Sequence, residues 1–524
     1  MRIEPNMSSV VVVGSGAAGL TAAVAAAQSG AEVTVVERAP VLGGTTALSG
    51  GLAWMPANRL MAAEGVDDSL AEAREYLQAL CLGDVDDELL DYFADQAPAV
   101  ADWLDSTTGL SWQTVPYPDY HPELPGGKPG HRPLEPQPRR ASPELDQRIR
   151  TAPNVTAPIT YRELATGDFD RDNIAARTRS GVITMGRSMI ASLVEAAEAL
   201  GAAILTGVGV DGLAQSGGKV NGVRIGPDVI TGRVILASGG FERDPALVRA
   251  FLRGPMTGPV GAPGMDGTAL RLSLAAGAEL GNMAEAWWCP AMTVLGEAID
   301  GEPFHRLVLT ERARPRSLMV DSRGRRFANE ARNYNDVGRA MQAFDPTGFQ
   351  YPAATAWLVF DSGYRRRYHL GPLRRDGPDP EWLHRADSLD ELATAIGVDS
   401  EELAASVTRF NHLAVTGDDP DFGWGRSIYD RFVGDPTAPH PTLGPLEEPP
   451  FYAVRLHPGC LGTKGGPRTD IHGQVRHQDG GLIEGLYAVG NAAASPLGAA
   501  YPGAGGTIGP MLVAARAAGT TAAS

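Results

Sequence analysis

The chain has few cysteines, and their arrangement removes two classes of protein. Its 524 residues contain three, Cys81, Cys289 and Cys460, which are far apart and show neither C-x-x-C nor zinc-ligand spacing. An odd number of scattered cysteines argues against a disulfide framework and against a structural metal, and it favours a reducing compartment. We therefore expect a cytoplasmic protein, at most loosely associated with membranes, that has no metal site.

Positive charge and long apolar runs are also scarce. The 45 lysines and arginines stand against 62 acidic residues, which gives a formal net charge of −17. This excess of negative charge disfavours nucleic acid and anionic membranes as partners. No run of about 20 apolar residues is free of glycine breaks and charges, so we expect no transmembrane helix. The apolar stretch near the N-terminus lacks a preceding basic region, so we expect no signal peptide.

The most informative stretch is Val10–Glu37. Four valines predict a short buried strand, and Gly14, Gly16 and Gly19 follow it in the spacing G-x-G-x-x-G. An alanine-rich run without proline then predicts a helix, and a second strand ends on Glu37. This order of strand, glycine turn, helix, strand and acid is the dinucleotide-binding fingerprint.

Each part of the fingerprint has a physical role. Gly14 permits the tight turn, Gly16 lets the backbone approach a pyrophosphate, and Gly19 lets the helix pack closely on the strand. The helix N-terminus offers N–H groups to the phosphates. Glu37 can accept hydrogen bonds from a ribose, and its charge disfavours the 2′-phosphate of NADP. The stretch predicts an α/β domain with a parallel sheet and a bound dinucleotide.

Glycine pairs and small hydroxyl residues follow the acid directly, in G-G-T-T-A-L-S-G-G over residues 43–51. Together with the fingerprint, this segment resembles the FAD-dependent succinate dehydrogenase/fumarate reductase flavoprotein superfamily. The resemblance implies that the dinucleotide is non-covalently bound FAD. It also implies the following cofactor-binding residues: Ser15, Gly16, Ala17, Ala18, Glu37, Arg38, Gly44, Thr45, Thr46, Ser49, Gly50, Gly51, Val208, Ala237, Gly239, Gly490, Asn491, Thr507 and Ile508.

The same resemblance implies a division of the chain. A Rossmann-like FAD-binding domain formed by residues 1–283 and 448–524 is interrupted by an α+β catalytic capping domain over 284–447. Local pattern predicts strands at Ala203–Leu213 and Val220–Ile225. Residues 114–143 are rich in proline and glycine, show no helical or strand period, and predict a long loop.

Three tyrosines lie in motifs that resemble bacterial 3-oxosteroid 1-dehydrogenases. Tyr120 stands in P-Y-P-D-Y, and Tyr501 stands in Y-P-G-A-G-G-T-I-G-P. Tyr334 follows N-E at the place where fumarate reductases carry an arginine, which disfavours a fumarate reductase. Gly503 stands where the related 5α-steroid 4-dehydrogenases carry a serine. The resemblance also implies a substrate pocket walled by Trp287, Trp288 and Pro502.

The resemblance implies desaturation of a hydrophobic polycyclic ketone, a 3-oxosteroid, with an electron acceptor that the sequence does not identify. Tyr334 is the expected base at carbon 2, assisted by a hydrogen bond from Tyr120. A hydride passes from carbon 1 to the flavin. Tyr501 and the Gly505 N–H are expected to hold the carbonyl oxygen as it gains charge, an oxyanion-hole role.

Other functions stay open on the sequence alone. A reductase of the same fold would saturate an activated double bond, and a related desaturase would act on another cyclic ketone. A third alternative is a flavin-binding scaffold or electron carrier without its own chemistry. We expect the isolated histidines to be structural or surface residues: His121, His131, His305 and His457.

Overall fold

The computed structural model describes residues 8–83, 85–155, 157–375 and 377–524. Two large sheets organise these residues. The first has six strands in the order Gln474–Arg476, Leu482–Ala488, Arg233–Leu236, Ser9–Val13, Glu32–Glu37, Ala203–Thr206. The glycine-turn strand Ser9–Val13 is parallel to both of its neighbours. The predicted α/β class, with a parallel Rossmann-like sheet, is therefore confirmed.

Both faces of this sheet are covered, which explains why its central strand is almost entirely valine. Val10 and Val12 pack in a cluster with the helices Ala17–Gln28 and Ile508–Ala523. Val11 and Val13 pack on the opposite face, against a three-stranded sheet that includes Lys219–Ile225. A strand buried on both sides has no polar positions to alternate, so its sequence is a continuous apolar run.

The second sheet carries the middle of the chain. Its main path runs Glu302–Leu307, Ala286–Ile299, Phe451–Thr463, Ala356–Asp361, Ser317–Val320, and Gly258–Pro259 and His384–Ala386 also pair with Phe451–Thr463. The strand Phe451–Thr463 thus joins the second sheet although it lies beyond residue 448. The proposed domain boundaries remain a prediction, and this pairing indicates that the second layer continues past that residue.

Two local predictions from the sequence were wrong. The strand expected over Ala203–Leu213 is interrupted: Ala203–Thr206 ends at Gly207, whose φ is +73°, and the chain resumes as Gly212–Ser216. The loop expected over 114–143 contains the strand Pro133–Pro136, which pairs on both sides. Its prolines occupy the strand ends, where a missing N–H costs little, so the proline content concealed the strand.

The remaining elements are mostly short. The α-helices are Ala17–Gln28, Leu70–Cys81, Asp87–Thr108, Pro143–Arg148, Tyr161–Thr166, Arg171–Arg179, Met185–Ala199, Pro245–Phe251, Thr268–Ala275, Tyr334–Ala340, Ser362–Arg367, Leu389–Ile396, Ser400–Thr416, Ile428–Phe432 and Ile508–Ala523. The smaller strands are Ala53–Trp54, Trp112–Thr114, Arg139–Arg140, Val182–Ile183, Asp228–Thr231, Leu280–Gly281 and Gly466–Pro467. Among the described helices, none is long and apolar enough to cross a membrane. The three cysteines are buried and free.

Candidate active site

A cavity of about 1090 Å³ begins at the glycine turn and ends among buried tyrosines. Every residue predicted to contact FAD lines it, as do Tyr120, Tyr334, Tyr501 and Gly505. The cavity therefore joins the dinucleotide site to the residues for which a catalytic role was predicted. Such a position, outside the carboxyl ends of parallel strands, is where ligands of open α/β sheets bind.

The glycine turn has room for a phosphate group only because of its residue types. Gly14 has a φ of +112°, and a Cβ there would lie 2.5 Å from the Ala237 carbonyl oxygen. A Cβ on Gly19 would lie 2.0 Å from the Gly14 oxygen, whereas a Cβ on Gly16 would meet nothing nearer than 4.0 Å. The helix that follows begins at Ala17 with no side-chain cap from Gly16, so its N-terminus faces the open cavity.

The polar groups around this turn also fit FAD. One Glu37 oxygen accepts hydrogen bonds from the Ser15 hydroxyl at 2.6 Å and the Ser15 N–H at 3.0 Å. Its other oxygen accepts from the Ala39 N–H at 2.8 Å, which fixes the carboxylate at the cavity edge. The Ser238 hydroxyl lines the cavity and is buried without a partner among the described residues. A buried polar group without a partner indicates a missing ligand contact.

Three tyrosines meet at the far end of the cavity. The Tyr334 hydroxyl donates a hydrogen bond of 2.7 Å to the Tyr501 oxygen, and the Thr507 hydroxyl donates one of 2.9 Å to the same oxygen. The Tyr120 ring meets the rings of Tyr334 and Tyr501 edge to face, with centroids 5.7 and 5.2 Å apart. Because the Tyr501 oxygen accepts two hydrogen bonds, its own proton is free to point at a ligand.

Burial dominates the acidity of this cluster. It raises the pKa of Tyr334 well above the ordinary 10.0, Tyr501 adds to the rise, and the Tyr120 hydroxyl opposes it. The pKa of Tyr120 is also raised well above its ordinary value by burial. A standing phenolate is therefore costly here, although hydrogen bonding from the Tyr120 hydroxyl offsets part of that cost.

The helix Tyr334–Ala340 presents the candidate base. Asn333 caps it, since its side-chain oxygen accepts from the Asp336 N–H at 3.1 Å. Gly338 lets this helix lie against the strand Ala286–Ile299, where a Cβ would come within 2.4 Å of the Cys289 nitrogen. The capping residue and the glycine together fix where the Tyr334 ring enters the cavity.

A buried charge network holds the loop that carries Tyr120. Arg132 is fully buried and donates to Asp119 and Asp68, each at 2.7 Å. Asp119 forms an antiparallel bridge with Gly503, and the Tyr120 N–H donates to the Pro502 carbonyl at 3.0 Å. The Tyr120 loop and the Tyr501 loop are therefore joined backbone to backbone.

Gly505 must be glycine at this site. Its φ is +88°, and a Cβ would lie 2.6 Å from the Leu52 carbonyl carbon and oxygen. Its carbonyl accepts from the Trp54 N–H at 3.0 Å, while its own N–H has no hydrogen bond among the described residues. The Gly505 N–H and the Tyr501 hydroxyl are thus two available donors on one cavity wall.

Three residues predicted to form the substrate wall do not line the cavity. Trp287 packs behind Tyr501, with ring centroids 4.8 Å apart. Trp288 points the other way and donates to Glu285 at 3.2 Å, since neighbouring residues of a strand face opposite sides. Pro502 turns its carbonyl towards Tyr76 and Tyr120. The lining includes these apolar and aromatic residues instead: Val155, Ile159, Tyr161, Phe304, Leu307 and Leu309.

Two further charged residues lie near the tyrosines: His121, which was expected to be structural or at the surface, and Lys464, for which no role was predicted. His121 Nε2 lies 2.8 Å from an Asp336 oxygen; burial lowers its pKa, but Asp336 and Glu123 outweigh this and raise it to about 9. Lys464 is fully buried behind Trp287. The available signal for the lysine was a single charge within L-G-T-K-G-G, a stretch that otherwise consists of small and apolar residues.

Comparison with known proteins gives consistent matches over nearly the whole chain. The family described as FAD binding domain matches residues 9–508. A 4-oxocyclohexanecarboxylate 2-dehydrogenase of Sinomonas cyclohexanicum is 39% identical over 98% of this chain and 92% of its own length. A 3-oxosteroid 1-dehydrogenase of Mycobacterium tuberculosis is 37% identical, over 96% of each chain. The 3-ketosteroid delta1-dehydrogenase of Sterolibacterium denitrificans, solved with 1,4-androstadiene-3,17-dione, superposes with a TM-score of 0.90 at 32% identity, covering 99% of this chain and 100% of that one.

Proposed function

The chain belongs to the family of FAD-dependent dehydrogenases that includes the 3-oxosteroid 1-dehydrogenases, within the succinate dehydrogenase/fumarate reductase superfamily, and we propose that it introduces a 1,2-double bond into 3-oxosteroids. It is an FAD-dependent oxidoreductase that acts on CH–CH bonds. The observation that carries the proposal is the Tyr334–Tyr501 hydrogen bond inside the cofactor cavity. Bound FAD supplies the acceptor for the hydride that leaves carbon 1.

The direction of that hydrogen bond suggests how a tyrosine of raised pKa can act as the base. As the proton of carbon 2 moves to the Tyr334 oxygen, the Tyr334 proton moves to Tyr501. The Tyr501 proton in turn moves towards the substrate carbonyl oxygen, which carries negative charge until that proton arrives. No standing phenolate is needed, because each oxygen gains one proton as it loses another. When the hydride has left, the carbonyl re-forms, the protons return along the same path, and one proton is released to solvent.

The carbonyl oxygen has two candidate donors, the Tyr501 hydroxyl and the Gly505 N–H. Donors held in place before the reaction stabilise charge as it develops on that oxygen, and each is worth roughly 3–4 kcal/mol in other enzymes. Both line a cavity whose tyrosine end is shielded from solvent, with Tyr501 and Tyr334 4% and 6% exposed. Low dielectric strengthens both interactions.

The charges around the cavity support an uncharged substrate. Each arginine among the described lining residues already has a carboxylate partner, in the pairs Arg38–Asp266, Arg150–Asp300 and Arg306–Glu297. Burial lowers the pKa of His305, which also lines the cavity, so this histidine is neutral at pH 7. A hydrophobic ketone needs no additional cation, whereas a carboxylated substrate would compete with these existing pairs.

A second candidate follows from the Sinomonas relative, which acts on a monocyclic keto acid. The arginine that favours it is Arg150, whose Nε is buried in the cavity wall without a partner among the described residues. A substrate carboxylate near Arg150 would leave the ketone end free to reach the tyrosines. This candidate uses the same chemistry on a smaller ring.

An anaerobic titration tests the proposal and separates the two candidates. The FAD-bound enzyme is mixed, without any other acceptor, with a 3-oxo-4-ene steroid or with 4-oxocyclohexanecarboxylate. Rapid loss of the yellow absorbance with formation of the steroid 1,4-diene is the expected result. Bleaching by the keto acid alone would overturn the steroid assignment in favour of the second candidate. An enzyme that stays yellow with both ketones would contradict the proposed dehydrogenation.

A further inference from the structure

A lysine is enclosed behind the tyrosine cluster, in the turn that follows the strand Phe451–Thr463. Lys464 is fully buried, and its ammonium donates to the carbonyl oxygens of Ala499 at 3.0 Å and Ala500 at 2.7 Å. These are the two residues that precede Tyr501. The same nitrogen lies 4.1 Å from the centre of the Trp287 ring and 6.0 Å from that of the Tyr501 ring.

The surroundings of this nitrogen suit the charged form. It faces two carbonyl oxygens and the negative face of an indole, which together match the three N–H donors of an ammonium. A neutral amine would leave its lone pair facing one of these acceptors. No carboxylate of the described residues forms an ion pair with it. The ammonium is therefore buried without a direct counter-ion, and only its hydrogen bonds and the indole contact offset the cost of burying the charge.

The charged groups around Lys464 come from several elements. Burial lowers the pKa of Lys464 to about 7, Glu285 acts against this, and Arg339 adds to it. Cys81 and Asp336 act in the same direction as Glu285.

Lys464 is connected to Tyr501 by two routes. One is the backbone of residues 499–500, which its ammonium holds directly. The other is Trp287, whose ring contacts both residues and whose N–H donates to the Asn491 oxygen at 2.9 Å. Asn491 itself lines the cofactor cavity. A substitution at Lys464 therefore alters both the placement of Tyr501 and the electric potential at its hydroxyl.

We propose that Lys464 is a positioning residue for Tyr501. It holds the backbone before that tyrosine, and it supplies the positive charge that favours a negatively charged ligand oxygen beside the Tyr501 hydroxyl. This role rests on the proposed function, in which the Tyr501 hydroxyl donates a hydrogen bond to the ketone oxygen. One unit charge at about 6–9 Å, at an effective dielectric constant near 20, shifts an ionisation equilibrium by between about 10- and 100-fold.

A phenol that binds in place of the ketone measures this potential without turnover. The FAD-bound enzyme is titrated with 4-fluorophenol, and the fluorine NMR shift of the bound phenol reports its ionised fraction against pH. At or below pH 7, where Lys464 carries its charge, we expect the bound phenol of Lys464→Met to ionise about 10- to 100-fold less readily than that of the wild type. The turnover number should fall by a similar factor while KM changes by less than about threefold. Lys219→Met, which removes an exposed lysine charge, is the matched control and should change neither quantity.

Lys464→Gln separates the charge from the backbone contacts. Its amide can still donate to the Ala499 and Ala500 carbonyls but carries no charge, so we expect the same change in phenol ionisation as in Lys464→Met, with a smaller loss of thermal stability. Wild-type ionisation in Lys464→Gln, or in a folded Lys464→Met, would overturn the electrostatic role. A phenol that binds the wild type but is not displaced by the ketone would instead overturn the carbonyl site of the proposed function, and this role with it.

Discussion

Replacing Tyr334 by Phe tests the proton transfer most directly. The substitution removes one buried hydrogen bond, that to Tyr501, which contributes about 1 kcal/mol to stability. The ring and its packing remain, so we expect FAD to stay bound and Tm to fall by no more than about 4 °C. The turnover number should fall by about 100- to 10,000-fold, the usual contribution of general acid–base catalysis. Tyr452→Phe, at a tyrosine that is equally buried at 6% exposure but lies outside the cavity lining, is the matched control.

A double substitution tests whether the two hydroxyls act as one unit. Tyr501→Phe alone should lower turnover by about 100- to 1,000-fold, the cost of one oxyanion donor. If the protons move together, Tyr334→Phe with Tyr501→Phe should be no slower than the slower single variant, because the second change removes a path that is already broken. The measurement is the rate of anaerobic bleaching in a single turnover with a 3-oxo-4-ene steroid.

Two results would refute this reasoning. Near-wild-type bleaching in Tyr334→Phe would remove that residue from the chemistry. A double variant whose loss is the product of the two single losses would show that the hydroxyls act independently, and it would require a standing phenolate despite the raised pKa of Tyr334.

The other predictions concern the cavity walls and the tyrosine loop. Gly505→Ala should lower Tm and turnover strongly, since its Cβ would lie 2.6 Å from the Leu52 backbone. The control Gly480→Ala has a similar φ of +93° and no atom within 4 Å of the added Cβ, so it should cost only the backbone strain. Scanning fluorimetry compares the Tm of the two variants. Glu37→Gln should weaken FAD binding by about 10-fold or more, because a charged acceptor of the Ser15 hydroxyl is lost; flavin content after dialysis measures this, and full retention would contradict it. Because the pKa of His121 is raised from 6.5 to about 9, its contribution to stability is complete below pH 6.5 and is lost as the pH rises through 9, an effect of at most roughly 3 kcal/mol. The free energy of unfolding, measured with urea at both ends of this pH range, should fall with pH in the wild type and fall less in His121→Gln. An equal fall in the two proteins would exclude this contribution of His121.

Several features of this protein follow from local sequence alone. The four valines, the three glycines and Glu37 are close in the chain, and their roles follow from backbone geometry that any observer of the sequence can apply. A glycine that must adopt a positive φ, as Gly14 does, is required whatever the rest of the fold. The family motifs predicted the roles of segments that are far apart in the chain. All residues expected to contact FAD line the same cavity.

The sequence was least informative about which way a side chain points when residues far away in the chain decide its orientation. Trp287 and Trp288 are neighbours, yet one backs Tyr501 and the other faces Glu285, because the pairing of their strand with Phe451–Thr463 sets which face is inward. The strand Pro133–Pro136 was missed because its prolines indicated a loop, and the pairing that makes it a strand comes from two separate segments. Side-chain direction in a sheet alternates, so an error of one residue in register reverses it.

The sequence by itself therefore determined the dinucleotide fold, the cofactor turn and the identity of the three tyrosines. Only the tertiary structure decided that Tyr334 donates its proton to Tyr501, and that a lysine without a direct counter-ion lies behind them. The reason is physical: hydrogen-bond direction, burial and electric potential depend on atoms that lie within a few ångströms in space. Here Tyr334 and Tyr501 are 167 positions apart in the chain, and Lys464 is 35 and 36 positions from the carbonyls that it holds.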